Sequence, residues 1–176
     1  MSTRIDLYTN GGLASGELAR PGPLAERLER ASDFELDSAT WIPLEGPAVH
    51  ARGRVTIAVD DVLLAHEPGD DGGPVHAMWH PVLIDAGPYR VQGELPTLPG
   101  FDPGRALTRP SGTFLRLRDV RIEARDRPDL TVERGSLLVS RYGVERVQAG
   151  LMLGFFFPGA EIEEGKDVQP VSLVAG

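Results

Sequence analysis

The stretches Ile5–Leu18 (IDLYTNGGLASGEL) and Val82–Leu95 (VLIDAGPYRVQGEL) align without a gap and end in the same three residues, Gly-Glu-Leu. Each stretch has the pattern of one short strand followed by a second strand that contains Gly-x-Leu. Internal similarity of this kind is typical of a structural unit that occurs more than once in a chain. We therefore predict two diverged copies of one small β-module.

The third strand of each copy carries a more specific signal. In the first copy apolar residues alternate up to Leu36 and resume one residue out of phase at Ala39; in the second copy the same change falls between Leu117 and Val120. Because alternation in a strand has a period of two, the change requires one extra residue, as in a β-bulge or a sharp bend. Such bends allow small barrels to close. The expected bends lie at Asp37-Ser38 and Arg118-Asp119.

Loops and a short helical segment connect the second and third strands. Pro/Gly-rich loops are expected at residues 21–23 and 99–104, and a Leu-x-Arg-x-Ser pattern follows at residues 28–32 and 107–111. These segments align with a small offset, which insertions in surface loops explain. Residues 24–30 are predicted to form one or two helical turns.

The last strands of the two copies also correspond. Arg52-Gly53 and Arg134-Gly135 each precede an apolar strand. Turn residues, Asp60-Asp61 in the first copy and Arg141-Tyr142-Gly143 in the second, then separate short apolar runs. This pattern predicts a hairpin that closes each module.

These observations predict an all-β fold of two tandem, small, strongly bent β-barrels with minimal helix. Residues 4–66 and 80–147 form the barrels, and residues 148–176 form an apolar strap and a polar tail. Residues 67–79 are a Gly/Pro/Asp-rich linker or loop, with an acidic metal-binding loop as the alternative. The content of 21 Gly and 15 Pro argues against long helices.

The order of strands and motifs resembles the Sm/LSm-like barrel, a strongly bent small sheet that assembles into rings in its family. The resemblance covers most of residues 4–147. The matching residues are Gly16-Glu17-Leu18 and Gly93-Glu94-Leu95, Leu36-Asp37-Ser38-Ala39 and Leu117-Arg118-Asp119-Val120, and the two Arg-Gly pairs.

Two departures limit what the resemblance implies about RNA. The loop after Gly-x-Leu is longer than in the family, and the Asp-x-x-x-Asn that holds an RNA base there is missing. RNA binding is therefore not implied. Arg52 and Arg134 are the remaining candidate nucleic-acid contacts, although the glycines that follow them fit turn positions with positive φ equally well.

Composition excludes several classes of protein. The absence of cysteine excludes disulfides, thiolate metal sites and thiol catalysis. A net charge of −8 argues against non-specific nucleic-acid binding. We find neither a run of apolar residues long enough to cross a bilayer nor the apolar core of a signal peptide, so we expect a cytoplasmic protein that does not bind membranes.

Candidate catalytic and metal-binding residues are few. His76 and His80 have the i, i+4 spacing of metal ligands on a helix, but on a strand their rings would lie roughly 13 Å apart. Asp60-Asp61 fits acid–base chemistry less well than a turn. No nucleophile or phosphate-binding motif occurs. We expect no catalysis, no cofactor and no metal, and a ligand or metal site near His76 and His80 remains the third hypothesis.

Two surfaces are candidates for protein contacts. The basic cluster at residues 116–127 is either a solvated face or a docking surface for the acidic first module of a neighbouring chain. The apolar run at residues 151–157 is either a strap over a barrel or an interface. The interface candidates are Leu151, Met152, Leu153, Phe155, Phe156, Phe157, Arg116, Arg118 and Arg121.

The resulting functional hypothesis is a non-catalytic, oligomer-forming scaffold or adaptor, expected to be a homo-oligomer with the option of another protein partner. The alternative is a nucleic-acid-binding regulator that uses Arg52, Arg134 and the 116–127 face.

Overall fold

The computed structural model describes residues 2–19, 22–70, 76–97 and 112–172. The chain divides into two compact units, Met1–Asp70 and Asp71–Gly176. In the described residues there are twelve strands, one α-helix and one 3₁₀ turn, so the predicted all-β fold is confirmed. The predicted loop at 99–104, the segment 107–111, part of the linker (71–75) and the last four residues lie outside the described residues.

The first unit is an antiparallel sheet in the order β6-β1-β2-β3, and β3 also pairs with both β4 and β5. Alternate residues of its strands, among them Ile5, Leu7 and Leu36, are buried and form the core. Its elements are β1 (Thr3–Thr9), β2 (Gly12–Leu18), α1 (Leu24–Arg30), β3 (Asp33–Pro43), β4 (His50–Ala51), β5 (Arg54–Ala58), the 3₁₀ turn Val59–Asp61 and β6 (Val62–His66).

The second unit is a sheet in the order β12-β11-β7-β8-β9-β10. The part β11-β7-β8-β9-β10 follows the same pairing order as β6-β1-β2-β3 and the partners of β3 in the first unit. Strand β12 is added in parallel to β11. Ile84, Val91 and Ile122 are fully buried in its core. Its elements are β7 (Met78–Ala86), β8 (Tyr89–Thr97), β9 (Phe114–Ala124), β10 (Arg127–Ser140), β11 (Val144–Ala149) and β12 (Glu161–Glu164).

The predicted bends in the third strands are present in both units. In the first unit Ser15 pairs with Thr40 but Glu17 pairs with Asp37, so β3 contains one extra residue. In the second unit the pairing register of β8 with β9 shifts in the same way, between Gln92 and Glu94. Ser38 and Asp119, at these two bulges, both have a φ of 49° and are the two non-glycine residues with positive φ in the described chain.

A glycine faces each bulge because the strands approach too closely for a side chain. A Cβ atom at Gly16 would lie 2.8 Å from the Cβ atom of Leu36, and one at Gly93 would lie 2.7 Å from Cγ1 of Val120. The glycine in each Gly-Glu-Leu segment therefore permits the bulged third strand to approach the second strand closely.

The predicted closing hairpins are wrong, and each sheet is open rather than closed into a barrel. In the described part of the first unit β5 pairs with β3 and β6 pairs with β1, while in the second unit β10 pairs with β9 and β11 with β7. Asp60 and Asp61 lack the positive φ that a two-residue hairpin loop requires. The chain instead passes through the 3₁₀ turn from one side of the sheet to the other.

We predict that Gly16→Ala and Gly93→Ala each lower the free energy of unfolding by about 1–3 kcal/mol, because the new methyl group overpacks the close contact between the second and third strands. Urea denaturation of the purified variants measures this change.

Gly53→Ala is the matched control, because a Cβ atom there would have no neighbour within 4 Å and the backbone lacks a positive φ. Its stability should equal or slightly exceed that of the wild type. Equal losses in all three variants would contradict the close approach at Gly16 and Gly93.

Candidate functional site

A cleft of about 430 Å³ lies within the first unit. One part of the cleft is lined by residues 9–11, at the turn between β1 and β2, and by the indole of Trp41. The other part is lined by Arg52, the edge-strand residues 55–58 and Asp61. Its volume falls in the range of small-molecule and side-chain pockets. It is the candidate functional site of this chain.

The turn between β1 and β2 fixes the position of Trp41. The Thr9 hydroxyl donates to the Gly12 carbonyl at 3.1 Å and accepts from the Gly11 N–H at 3.3 Å. A Cβ atom at Gly12, whose φ is 154°, would lie 2.3 Å from the Ile42 carbonyl oxygen and 3.0 Å from the indole. Two adjacent glycines therefore let the indole pack against the turn.

Three polar side chains at the cleft are exposed and available to a ligand. Asn10, Arg52 and Asp61 make no side-chain hydrogen bond or ion pair within the described residues. The neighbouring Arg54 differs, because its guanidinium donates to Asp37 at 2.8 Å, and this bond raises its pKa. Arg52 is thus the uncommitted cation of this region.

An unpaired sheet edge forms one side of the cleft. Among the described residues β4 and β5 pair with β3 and with no other strand. Alternate N–H and C=O groups along the other side of an edge strand are open to pairing with another chain. Because β5 contributes four consecutive residues to the cleft, backbone and side-chain recognition are available at one place.

In the second unit β12 covers β11, the strand that corresponds to β6 of the first unit. The two strands pair in parallel, and Arg146 forms ion pairs with Glu161 at 3.6 Å and with Glu163 at 3.7 Å. Short, charged strands of this kind protect sheet edges from further pairing. The two sheets therefore differ, because β12 adds a strand to the sheet of the second unit.

The predicted interface segment at residues 151–157 is divided between core and surface. Leu153, Phe156 and Phe157 are buried, and Leu151 is half-buried. Met152 and Phe155 remain 51% and 40% exposed. These two side chains are the part of the segment that a partner can reach.

Arg141 attaches this segment to the second unit. Its buried guanidinium donates to the carbonyl oxygens of Phe156 at 2.8 Å, Phe155 at 2.9 Å and Gly112 at 2.7 Å. Hydrogen bonds from a charged donor are stronger than neutral ones. The segment is consequently held against the unit through its backbone.

Two arginines of the cluster at residues 116–127, Arg118 and Arg121, are compensated by carboxylates of their own unit. Arg118 pairs with Glu94 at 2.9 Å and lies 4.0 Å from the ring centre of Trp79. Arg121 pairs with Glu123 at 3.4 Å, and Arg116 is half-buried. Little uncompensated positive charge remains on Arg118 and Arg121.

The two candidate nucleic-acid contacts lie in different settings. Arg52 is exposed beside the cleft, whereas Arg134 is half-buried in β10 and donates to the Glu133 carbonyl at 3.0 Å. Gly53 does not have the positive φ of a turn glycine. Arg52-Gly53 instead occupies the break between β4 and β5, where Arg52 N–H donates to the Ala39 carbonyl at 2.8 Å.

The histidines do not form a cluster with other metal ligands. His80 lies in β7, with its Nε2 2.8 Å from the Thr97 hydroxyl, and His76 lies exposed before that strand. No group of three or more His, Asp or Glu side chains in the described part of the chain is arranged to hold a metal ion. None of the helices described is long and apolar enough to cross a membrane.

Comparison with known proteins gives no relative, since no family model, no curated protein and no solved structure matches this chain.

Sequence patterns singled out Arg52 as a candidate contact and Asp61 as part of a turn, but they did not identify the rest of the cleft. Trp41 reads as an ordinary apolar strand residue, and Asn10 reads as a turn residue. The adjacent pair Gly11-Gly12 was the available signal, because consecutive glycines in a turn permit the close approach of a large side chain.

His80 gives a prediction on pH. Burial lowers its pKa in the folded state, so the unfolded chain binds more protons between that value and about 6.5. The stabilising effect of neutral His80 is full above pH 6.5 and is lost as the pH falls. We expect the difference in melting temperature between wild type and His80→Gln to shrink from pH 7.5 to pH 5. A constant difference would contradict burial of the neutral ring.

Proposed function

We propose that the protein is a non-catalytic, oligomer-forming interaction module built from two diverged copies of an Sm-like sheet. The shared strand order, the positive φ of Ser38 and Asp119, and the glycines that face these residues support a common origin of the units. Proteins of the Sm/LSm-like family assemble into rings, which agrees with a role in protein contacts.

The observation that carries the proposal is the unpaired edge of β5 beside the cleft. Addition of a strand to such an edge gives affinity through backbone hydrogen bonds, and an adjacent pocket gives specificity. Trp41 and the unpaired polar groups around it provide that second element. We assign strand addition at the β4–β5 edge as the means of association.

Binding of single-stranded RNA is the second candidate, because Trp41 and Arg52 line the same cleft. An aromatic ring can stack on a base while a guanidinium contacts phosphate. Titration with labelled single-stranded RNA at low salt tests it. Binding that Arg52→Ala weakens would favour this candidate, and absence of binding would remove it.

The register identifies a residue at which the edge can be blocked. Val59 N–H donates to the Ser32 carbonyl at 2.9 Å, at a position that continues the pairing of β5 with β3. Hydrogen-bonded and non-hydrogen-bonded pairs alternate in an antiparallel ladder, so Ile57 directs its backbone groups towards β3 and Thr56 directs them away. Proline at position 56 therefore removes a donor from the open side of the strand.

We predict that Thr56→Pro abolishes self-association, while Thr56→Ser, which keeps the N–H, does not. Light scattering coupled to size exclusion should give a mass above 19.0 kDa for wild type and Thr56→Ser, and 19.0 kDa for Thr56→Pro. Circular dichroism confirms that the proline variant remains folded, as expected for an edge strand. An unchanged assembly in folded Thr56→Pro would exclude this edge as the interface.

A further inference from the structure

We infer that the strand added to the β4–β5 edge is β5 of a second copy of this chain, antiparallel to the first and related to it by a two-fold axis. The inference rests on the proposed function and specifies its partner. It follows from the placement of charge at the two ends of β5.

Opposite charges flank the edge strand. Arg52 precedes β5, and Asp60 and Asp61 follow it in the 3₁₀ turn. All three side chains are exposed, and none of them makes a side-chain hydrogen bond or an ion pair within the part of the chain that the structure describes. The edge therefore has a free cation at one end and free anions at the other.

The charges of two copies of this edge are complementary only when the two strands run antiparallel. In an antiparallel pair centred on Thr56, residue 52 of each copy lies opposite residue 60 of the other, so both ends of the pair bring Arg52 to Asp60 and Asp61. A parallel pair would place Arg52 beside Arg52. Opposite charges across two strands stabilise pairing and like charges destabilise it, so the antiparallel arrangement is favoured.

The remaining residues of the strand accept the same register. Arg54 lies opposite Ala58, which carries no charge, and its own charge is compensated by Asp37 at 2.8 Å. The exposed side chains of Thr56 in the two copies meet at the axis. Because the same patch is used by both copies, the interface closes at two subunits and leaves no edge of β5 for a ring or filament.

Charge reversal tests this inference. Sedimentation velocity across micromolar concentrations should show a wild-type dimer of twice 19.0 kDa. Arg52→Asp, and separately the double variant Asp60→Arg/Asp61→Arg, should each weaken the dimer by at least about tenfold, because both symmetric contacts become repulsive. Arg4→Asp is the matched control, since it makes the same charge change at an exposed arginine outside this edge that has no ion pair among the described residues.

Mixing the two variants provides the decisive result. In a one-to-one mixture both contacts of the heterodimer again join opposite charges, so dimer should reappear at concentrations where each variant alone is mainly monomeric. A dimer that resists both reversals, recovery only as larger assemblies, or a monomeric wild type would overturn the inference. Loss of assembly in Thr56→Pro without any effect of charge reversal would retain the proposed edge and reject this pairing.

Discussion

The close approach of the second and third strands at Gly16 and Gly93 determines the course of both sheets. No side chain fits between the strands at these points, and the third strand accommodates the close approach with one extra residue in a left-handed conformation. For Ser38 and Asp119 that conformation costs about 1–2 kcal/mol. Packing of Leu36 and Val120, which are fully buried beside the bulges, offsets this cost.

The strand pairing opposite the bulge positions the candidate site. In the first unit the partner of β3 is divided there into β4 and β5, with Arg52-Gly53 in the break between them. The break places Arg52 at one end of β5, and the 3₁₀ turn places Asp61 at the other, with Trp41 beside them in the cleft. In the second unit the strand opposite the bulge, β10, is continuous, and β12 covers the opposite side of that unit's sheet, next to β11. The two units thus differ at the partner of the third strand, which is divided in the first unit and continuous in the second.

Local patterns sufficed to predict the all-β character of the chain and the position of both bulges, because alternation and its change of phase are properties of neighbouring residues. They did not predict which strands pair at the end of each unit, since an apolar run on either side of Asp60-Asp61 fits a hairpin and a crossing equally well. Which of residues 151–157 are buried depends on the hydrogen bonds that Arg141 donates to backbone carbonyls, and the position of Trp41 depends on Gly12. Both contacts join residues that are far apart in the sequence, and even the Gly11-Gly12 pair does not show that Trp41 is its partner.

An experimentally determined structure of the chain tests the central claim most directly, through the backbone at Ser38 and Asp119. The account predicts a left-handed residue and one unpaired position opposite Gly16 and opposite Gly93, with residues 3–18 and 33–66 superimposing on residues 80–95 and 114–149. An uninterrupted ladder between the second and third strands of either unit, or halves that do not superimpose, would contradict it.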